Sequence, residues 1–140
     1  MPSEPAAPPA RPRTEFYDTL GVVVDSPEPG TARVEMPSAQ GFRNSRGEIH
    51  GGAVLALVDM AASSAVRSAL GPGDALATVS VTMNFVHPAA APATAIGRVT
   101  SVGGRVAFAH VDVESGGRVV AQGVATLRLF RRARDEGGAG

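Results

Sequence analysis

The chain has 140 residues, of which 13 are basic and 13 acidic, so its formal net charge is zero. This length favours one domain with a real hydrophobic core, and the balanced charge creates no general attraction to nucleic acid or to a membrane surface. The absence of cysteine excludes disulfide scaffolds, thiolate nucleophiles and thiolate metal sites. The start of the chain has no apolar signal-peptide core, and no apolar run approaches about 20 residues, so we expect a cytoplasmic protein without a membrane span.

Both ends of the sequence have the composition of tails. Residues 1–13 are mostly proline, alanine and charged residues, which cannot bury enough apolar surface to become ordered, and we expect a disordered N-terminal tail. Residues 131–140 are charged and then rich in glycine, which indicates a flexible C-terminal tail. The folded domain is therefore predicted to span residues 14–130.

The domain begins with short elements. Residues 14–20 are predicted to form a short helix with Thr14 as its N-cap. Residues 21–24 and 31–36 have the pattern of strands, and the Pro-Glu-Pro-Gly segment at 27–30 is typical of the turn that joins them.

A long helix is predicted over residues 53–70, ending at the Gly-Pro-Gly of 71–73. Its apolar residues recur at helical spacing and form one stripe. Many of them are alanine, so a sheet can approach this helix closely. The stripe consists of Val54, Leu57, Val58, Ala61, Ala62, Ala65 and Ala69.

The remaining sequence is almost entirely strand. Four segments with strand patterns, separated by glycine-rich turns or proline, cover residues 78–85, 94–102, 105–114 and 118–130. Four consecutive strands of this kind indicate an antiparallel meander, and the long helix needs a concave face on which to bury its stripe. We therefore expect an α+β fold in which a curved antiparallel sheet wraps around one long central helix.

The segment most informative about chemistry is residues 44–52, which reads Asn-Ser-Arg-Gly-Glu-Ile-His-Gly-Gly and leads into the long helix. The start of a helix has unpaired N–H groups and can stabilise a developing oxyanion, and Asp59, two turns along, can orient or deprotonate water. Each feature alone also has a structural explanation: a tight helix entry for Gly51 and Gly52, a capping or packing role for His50, and a solvated carboxylate for Asp59. Their joint spacing favours acyl-transfer chemistry, in particular hydrolysis.

The spacing of Asn44, His50, Gly51 and Asp59, together with the Asn-Phe-Val-His-Pro of residues 84–88, resembles a known family. It is similar to the signature of hotdog-fold acyl-CoA thioesterases of the PaaI-like (phenylacetate-pathway) group. The resemblance covers roughly residues 20–130. It implies the hotdog fold and hydrolysis of an acyl-CoA or aryl-CoA thioester to a carboxylic acid and free CoA.

The resemblance also implies roles for individual residues. The backbone N–H of Gly51 is expected to polarise the thioester carbonyl, and Asp59 to act as general base or as nucleophile. Asn44 and His50 are expected to position the thioester or the lytic water.

Three hydroxyl groups are candidates for holding that water, and the sequence leaves the choice open. Thr78 lies at the matching distance before Pro88, as in some relatives. Ser80 lies two residues further on, which in a regular strand is the same face, so it is an alternative to Thr78 and a candidate CoA contact. Ser63 follows Asp59 by one helical turn, as in another branch of the family.

The CoA moiety is expected to contact Arg105, after a hairpin turn, and His87, before Pro88. Arg128, Arg131 and Arg132 are further candidates for its phosphates. His110 lies in the middle of a strand and is interpreted as structural. No histidine and carboxylate pattern has metal-ligand spacing, so we expect no metal and no cofactor besides the CoA thioester substrate.

The resemblance further implies a homodimer with a continuous sheet, in which Asp59 faces the loop of Asn44, His50 and Gly51 in the partner subunit, and dimers that pair into a homotetramer. The alternative function is a non-catalytic module of the same fold that binds acyl-CoA or another small ligand. A dehydratase or hydratase fits the signature less well. Asp59 discriminates between the first two, because a binding module needs no carboxylate beside a thioester. The sequence leaves the acyl group open.

Overall fold

The computed structural model of the chain describes residues 14–133. The predicted N-terminal tail and residues 134–140 lie outside this part. Two helices and six strands follow one another along the chain: α1 Glu15–Leu20, β1 Val23–Asp25, β2 Thr31–Met36, α2 Gly51–Ser68, β3 Ala75–Phe85, β4 Ala93–Val102, β5 Val106–Ser115 and β6 Arg118–Phe130. No helix in the described residues is long and apolar enough to cross a bilayer.

All six strands form one antiparallel sheet in the order β1-β2-β4-β5-β6-β3. The long helix α2 lies against this sheet, so the predicted α+β architecture is confirmed. The predicted meander of four consecutive strands is correct for β4, β5 and β6 but wrong for β3, which pairs with β6 and not with β4. The segment from 86 to 92 contains two prolines and no tight turn, and β4 pairs with β2 on its other side. As a result β3 is an edge strand of eleven residues.

Small residues on both partners let α2 approach the sheet closely, as the alanine-rich stripe predicts. A Cβ atom at Gly97 on β4 would collide with the backbone carbonyl of Ala61. A Cβ atom at Gly123 on β6 would lie 2.8 Å from Cγ1 of Val58. The helix axis is therefore held at a distance that only glycine permits at these two points, and this contact fixes where the side chains of α2 lie relative to the sheet.

The end of β6 is joined to the turn between α2 and β3 through one carboxylate. Asp74 accepts hydrogen bonds from the backbone N–H of Arg132 (2.8 Å), the backbone N–H of Gly71 (3.1 Å) and Nη1 of Arg131 (3.4 Å). These donors, the Arg132 amide foremost, hold the pKa of the Asp74 carboxyl below its ordinary value. Ordered contacts thus extend past residue 130, the predicted end of the domain.

Candidate active site

The loop before α2 is shaped by Asn44. Its Oδ1 accepts hydrogen bonds from the backbone N–H groups of Arg46 (2.9 Å) and Glu48 (3.1 Å), and its own N–H donates to the carbonyl of Glu48 at 2.8 Å. Asparagine favours such turns because its short side chain can bond to the following backbone. Asn44 therefore organises the turn that delivers the chain to the start of the helix.

His50 and Gly51 form the helix entry. His50 is the N-cap of α2, and its Nδ1 accepts a hydrogen bond from the N–H of Gly52 at 2.9 Å. Because Nδ1 is an acceptor, the neutral ring carries its proton on Nε2. The N–H of Gly51 has no hydrogen-bond partner within residues 14–133. It is an unused donor at the positive end of an 18-residue helix.

The carboxylate of Asp59 is paired with a hydroxyl from the edge strand. Thr78 Oγ1 donates to Asp59 Oδ1 at 2.7 Å, which joins α2 to β3. Asp59 is half-buried, and no other hydrogen bond to its carboxylate is present in the described part of the chain. The second carboxylate oxygen is therefore available to a water molecule, and so is the lone pair of the Thr78 hydroxyl.

The other two candidate hydroxyls are placed differently. Ser63 Oγ donates to the backbone carbonyls of Asp59 (2.8 Å) and Met60 (3.2 Å), so it bonds to its own helix. The expectation that Ser80 shares a face with Thr78 is wrong. The pairing of β3 with β6 shifts register between Thr78 and Ser80, so Val79 forms a β-bulge. The extra residue breaks the alternation and places Ser80 on the face away from α2.

Within one chain, the free amide and the carboxylate are far apart. Eight residues of helix separate Gly51 from Asp59, which corresponds to about 12 Å along the axis at 1.5 Å per residue. One thioester carbonyl cannot contact both groups at that separation. The chain by itself therefore holds the two halves of the predicted site in different places.

Gly51 borders an open cavity of about 350 Å³. The buried residues that form its floor are aliphatic, and the exposed residues that form its rim include charged and aromatic side chains. The lining residues are Asn44, Arg46, Glu48, Ile49, Gly51, Val54, Phe85, Val86, His87, Pro88, Ala89, Val120 and Ala121. A second cavity of about 250 Å³ lies beside His50 and Gly52, against α1.

The predicted CoA contacts lie at opposite ends of the sheet. The N–H of His87 donates to the carbonyl of Val120, whereas the carbonyl of Arg105 accepts from the N–H of Leu129. Nine residues of strand separate Val120 from Leu129, or about 30 Å. His87 therefore lines the cavity at Gly51 and Arg105 does not.

The remaining basic candidates lie at the same end of the sheet as Arg105. Arg128 donates a hydrogen bond to the backbone carbonyl of Arg105 at 3.3 Å, and its guanidinium lies 5.4 Å from the centre of the Phe130 ring. The side chain of Arg131 and the backbone N–H of Arg132 donate to Asp74. His110, interpreted as structural, lies on β5 with Nε2 3.9 Å from a carboxylate oxygen of Asp112. Across residues 14–133 no three histidine or acidic side chains converge as metal ligands.

Among the lining residues that sequence reasoning missed, Arg46 and Phe85 bear most directly on the site. Arg46 lies inside the 44–52 motif, but only the folded loop shows that it lines the cavity. Phe85 belongs to the Asn-Phe-Val-His-Pro segment, and its ring lies against Gly51: a Cβ atom at Gly51 would be 3.4 Å from ring carbons Cε1 and Cζ. The signal for both was their position within the two segments that carry the family resemblance.

Comparisons with known proteins identify the family to which the chain belongs. The profile of the thioesterase superfamily matches residues 46–122, which include the helix entry, Asp59 and Thr78. A protein of Halobacterium salinarum, named as an esterase candidate, is 32% identical over 124 residues, covering 80% of this chain and 82% of that protein.

Solved structures share the fold. A thioesterase family protein from Silicibacter pomeroyi superposes with a TM-score of 0.80 at 25% identity, over 85% of this chain and 91% of that chain. A phenylacetic acid degradation-related protein from Ralstonia eutropha JMP134 has a TM-score of 0.79 at 24% identity, over 86% and 93% of the two chains, and shows the fold alone. The family match, its extent and the hotdog architecture lead to one conclusion: the chain belongs to the thioesterase superfamily and is a thioester hydrolase.

Proposed function

We propose that the protein is an acyl-CoA or aryl-CoA thioesterase of the PaaI-like group, with an active site that forms between two subunits paired through β3. The observation that carries the proposal is the 2.7 Å hydrogen bond from Thr78 to Asp59. It holds the half-buried carboxylate of α2 beside an exposed hydroxyl of the edge strand β3, remote from the free amide of their own subunit. A purely structural pair has no need of that position.

The edge strand β3 supports pairing with a second copy. It is long, and Val79 and Phe85 are 63% and 58% exposed on it. A long, exposed strand edge presents unpaired N–H and C=O groups that can pair with a strand of another chain. An antiparallel pairing around a two-fold axis brings the Thr78 end of one strand to the Phe85 end of the other.

Such a dimer unites the separated groups. The amide of Gly51, the Asn44 loop and His87 of one subunit then face Asp59, Thr78 and Arg105 of the partner subunit. The separation of about 12 Å between amide and carboxylate within one chain is then no obstacle, because each site combines the Gly51 amide of one subunit with the Asp59 carboxylate of the other.

The proposed reaction needs no metal or cofactor. The thioester carbonyl accepts a hydrogen bond from Gly51 N–H, and a water held by Thr78 transfers a proton to Asp59 as its oxygen attacks the carbonyl carbon. The C–S bond then breaks, and the leaving CoA thiolate takes that proton. One oriented donor is typically worth about 2.7–4 kcal/mol in the barrier. General-base assistance adds roughly 10²–10⁴-fold.

The test is an assay of hydrolysis with a panel of acyl-CoA and aryl-CoA thioesters, in which the release of free thiol is measured. Asp59→Asn keeps the shape and the hydrogen bond to Thr78 but removes the base, so kcat should fall by about 10²–10⁴-fold with fold and dimer unchanged. Asp25→Asn, on an exposed position of β1, is the matched control and should keep wild-type turnover. Full turnover by Asp59→Asn would exclude this carboxylate as the base. A non-catalytic module would instead bind acyl-CoA and release no thiol in any variant.

A further inference from the structure

We propose that Arg46 binds a phosphate group of the CoA moiety and thereby fixes the direction in which the substrate lies in the cavity at Gly51. This inference rests on the proposed function and concerns how the site recognises the CoA part of the substrate. It concerns a residue that lies outside the catalytic groups described above.

The guanidinium of Arg46 is held in place from one side only. Its Nε donates to Oε2 of Glu48 at 3.2 Å, and the same oxygen accepts from Nδ2 of Asn44 at 3.4 Å. The Arg46 side chain is 71% exposed and that of Glu48 28% exposed. Because the contact uses Nε, the two terminal nitrogens of Arg46 keep their N–H donors, and neither has a partner within the described residues.

Two terminal N–H groups on a planar fork match the geometry of a phosphate. Arginine binds phosphate through parallel, charge-assisted hydrogen bonds, which are stronger than neutral ones. Glu48 weakens the local positive charge, but it also restrains a long side chain that would otherwise lose conformational entropy on binding. The Asn44 turn fixes both residues, since its Oδ1 accepts from their backbone N–H groups.

The groups that line the cavity match the parts of a CoA thioester. Gly51 offers a free amide, Ile49, Val54 and Val120 are buried and aliphatic, and Arg46 is exposed to solvent. A CoA thioester presents a reacting carbonyl, then a largely uncharged arm, then phosphates. Since the chain has no net charge, attraction of these phosphates must come from local groups.

No other arginine of the described residues lines this cavity. Arg105 and its neighbours lie about 30 Å away along the same subunit's sheet, so they reach the proposed site only from the partner subunit. With the phosphates at Arg46, the acyl group extends from Gly51 away from the Asn44 loop.

The experiment compares two thioesters with the same neutral acyl group, one on CoA and one on pantetheine, which lacks phosphate. Arg46→Gln should raise KM for the CoA thioester about five- to tenfold with kcat retained, and leave the pantetheine thioester unaffected. Higher salt should raise the wild-type KM for the CoA thioester and have little effect in Arg46→Gln. Arg33→Gln, at an exposed position on β2, is the matched control and should behave as wild type.

Binding of free CoA, measured by calorimetry, tests the same contact independently of turnover: its Kd should rise by the same factor in Arg46→Gln. An unchanged Kd, an equal loss for both thioesters, or an effect confined to acyl groups that carry a carboxylate would each overturn the assignment. If the wild-type protein hydrolyses neither thioester yet binds CoA through Arg46, the proposed function fails and the phosphate site stands.

Discussion

Gly51 occupies the first position of α2, where a helix makes no use of its own amide hydrogen. Proline is well tolerated there, and the backbone of His50 before it, at φ −57° and ψ 137°, suits a residue that precedes proline. Gly51→Pro should therefore keep the helix and delete only the proposed oxyanion donor. We expect kcat to fall about 10²–10³-fold.

The matched control for that substitution is Gly51→Ala, which keeps the N–H. Its Cβ would make an ordinary 3.4 Å contact with the Phe85 ring, so it should fold and retain most of its activity. Circular dichroism and thermal unfolding check that both variants are folded. Equal activity of the two variants would show that the amide takes no part in catalysis.

Thr78 and Ser63 can be separated by their hydrogen bonds. Thr78→Val removes the donor to Asp59 and should lower kcat about 10- to 100-fold, the usual worth of a hydrogen bond to a charged group, and Thr78→Ser should restore it. Ser63→Ala removes only bonds to helix carbonyls and should change kcat little. Steady-state kinetics on one acyl-CoA decides; a larger loss in Ser63→Ala would assign the water to that hydroxyl instead.

At the level of residues, sequence spacing could indicate which groups matter but not how they are oriented. The nine-residue interval from His50 to Asp59 is visible in the sequence, whereas the bulge at Val79 is not, because it depends on pairing with β6. That is why Thr78 and Ser80 were indistinguishable until the strands were paired. The same holds for Arg46, whose direction depends on a side-chain contact with Glu48.

The elements themselves followed from periodicity. The predicted bounds of β2 and β6 are those of the structure, because alternation and flanking turns are local signals. α2 begins two residues earlier than predicted, since the His50 cap is a side-chain bond that periodicity cannot detect. The prediction that β3 pairs with β4 was wrong for a related reason, because strand order depends on contacts between residues that are distant in the chain.

The contact between the α2–β3 turn and the end of β6 has a pH signature. The pKa of Asp74 is lowered in the folded state, so its contribution to stability is present above its unfolded value of 3.8 and is lost as the pH falls through the folded value. Asp74→Asn should lower the Tm at pH 7, and the difference from wild type should shrink as the pH drops below about 4. Thermal unfolding across pH 2–7 measures this; a deficit that persists at acid pH would mean that shape, not charge, is responsible.

At the level of the whole molecule, mixing two inactive variants should restore part of the activity if the active site lies between subunits. When Asp59→Asn and Gly51→Pro subunits exchange, a mixed dimer has one site with both lesions and one site with neither. Random pairing makes half of the dimers mixed, so about one quarter of wild-type activity should return. Analytical ultracentrifugation confirms that the subunits associate and exchange. Absence of any recovery in exchanged dimers would place the whole site within one chain.

The bulge at Val79 has a consequence for how this architecture can diverge. Because Thr78 and Ser80 already lie on opposite faces, opposite Leu127 and Thr126, loss of Val79 would close the ladder into regular alternation and leave the Thr78 hydroxyl facing Asp59. Homologous chains with or without this extra residue can therefore present the same carboxylate and hydroxyl, so the length of β3 can change here during divergence, whereas an insertion or deletion elsewhere in the strand would turn side chains to the wrong face.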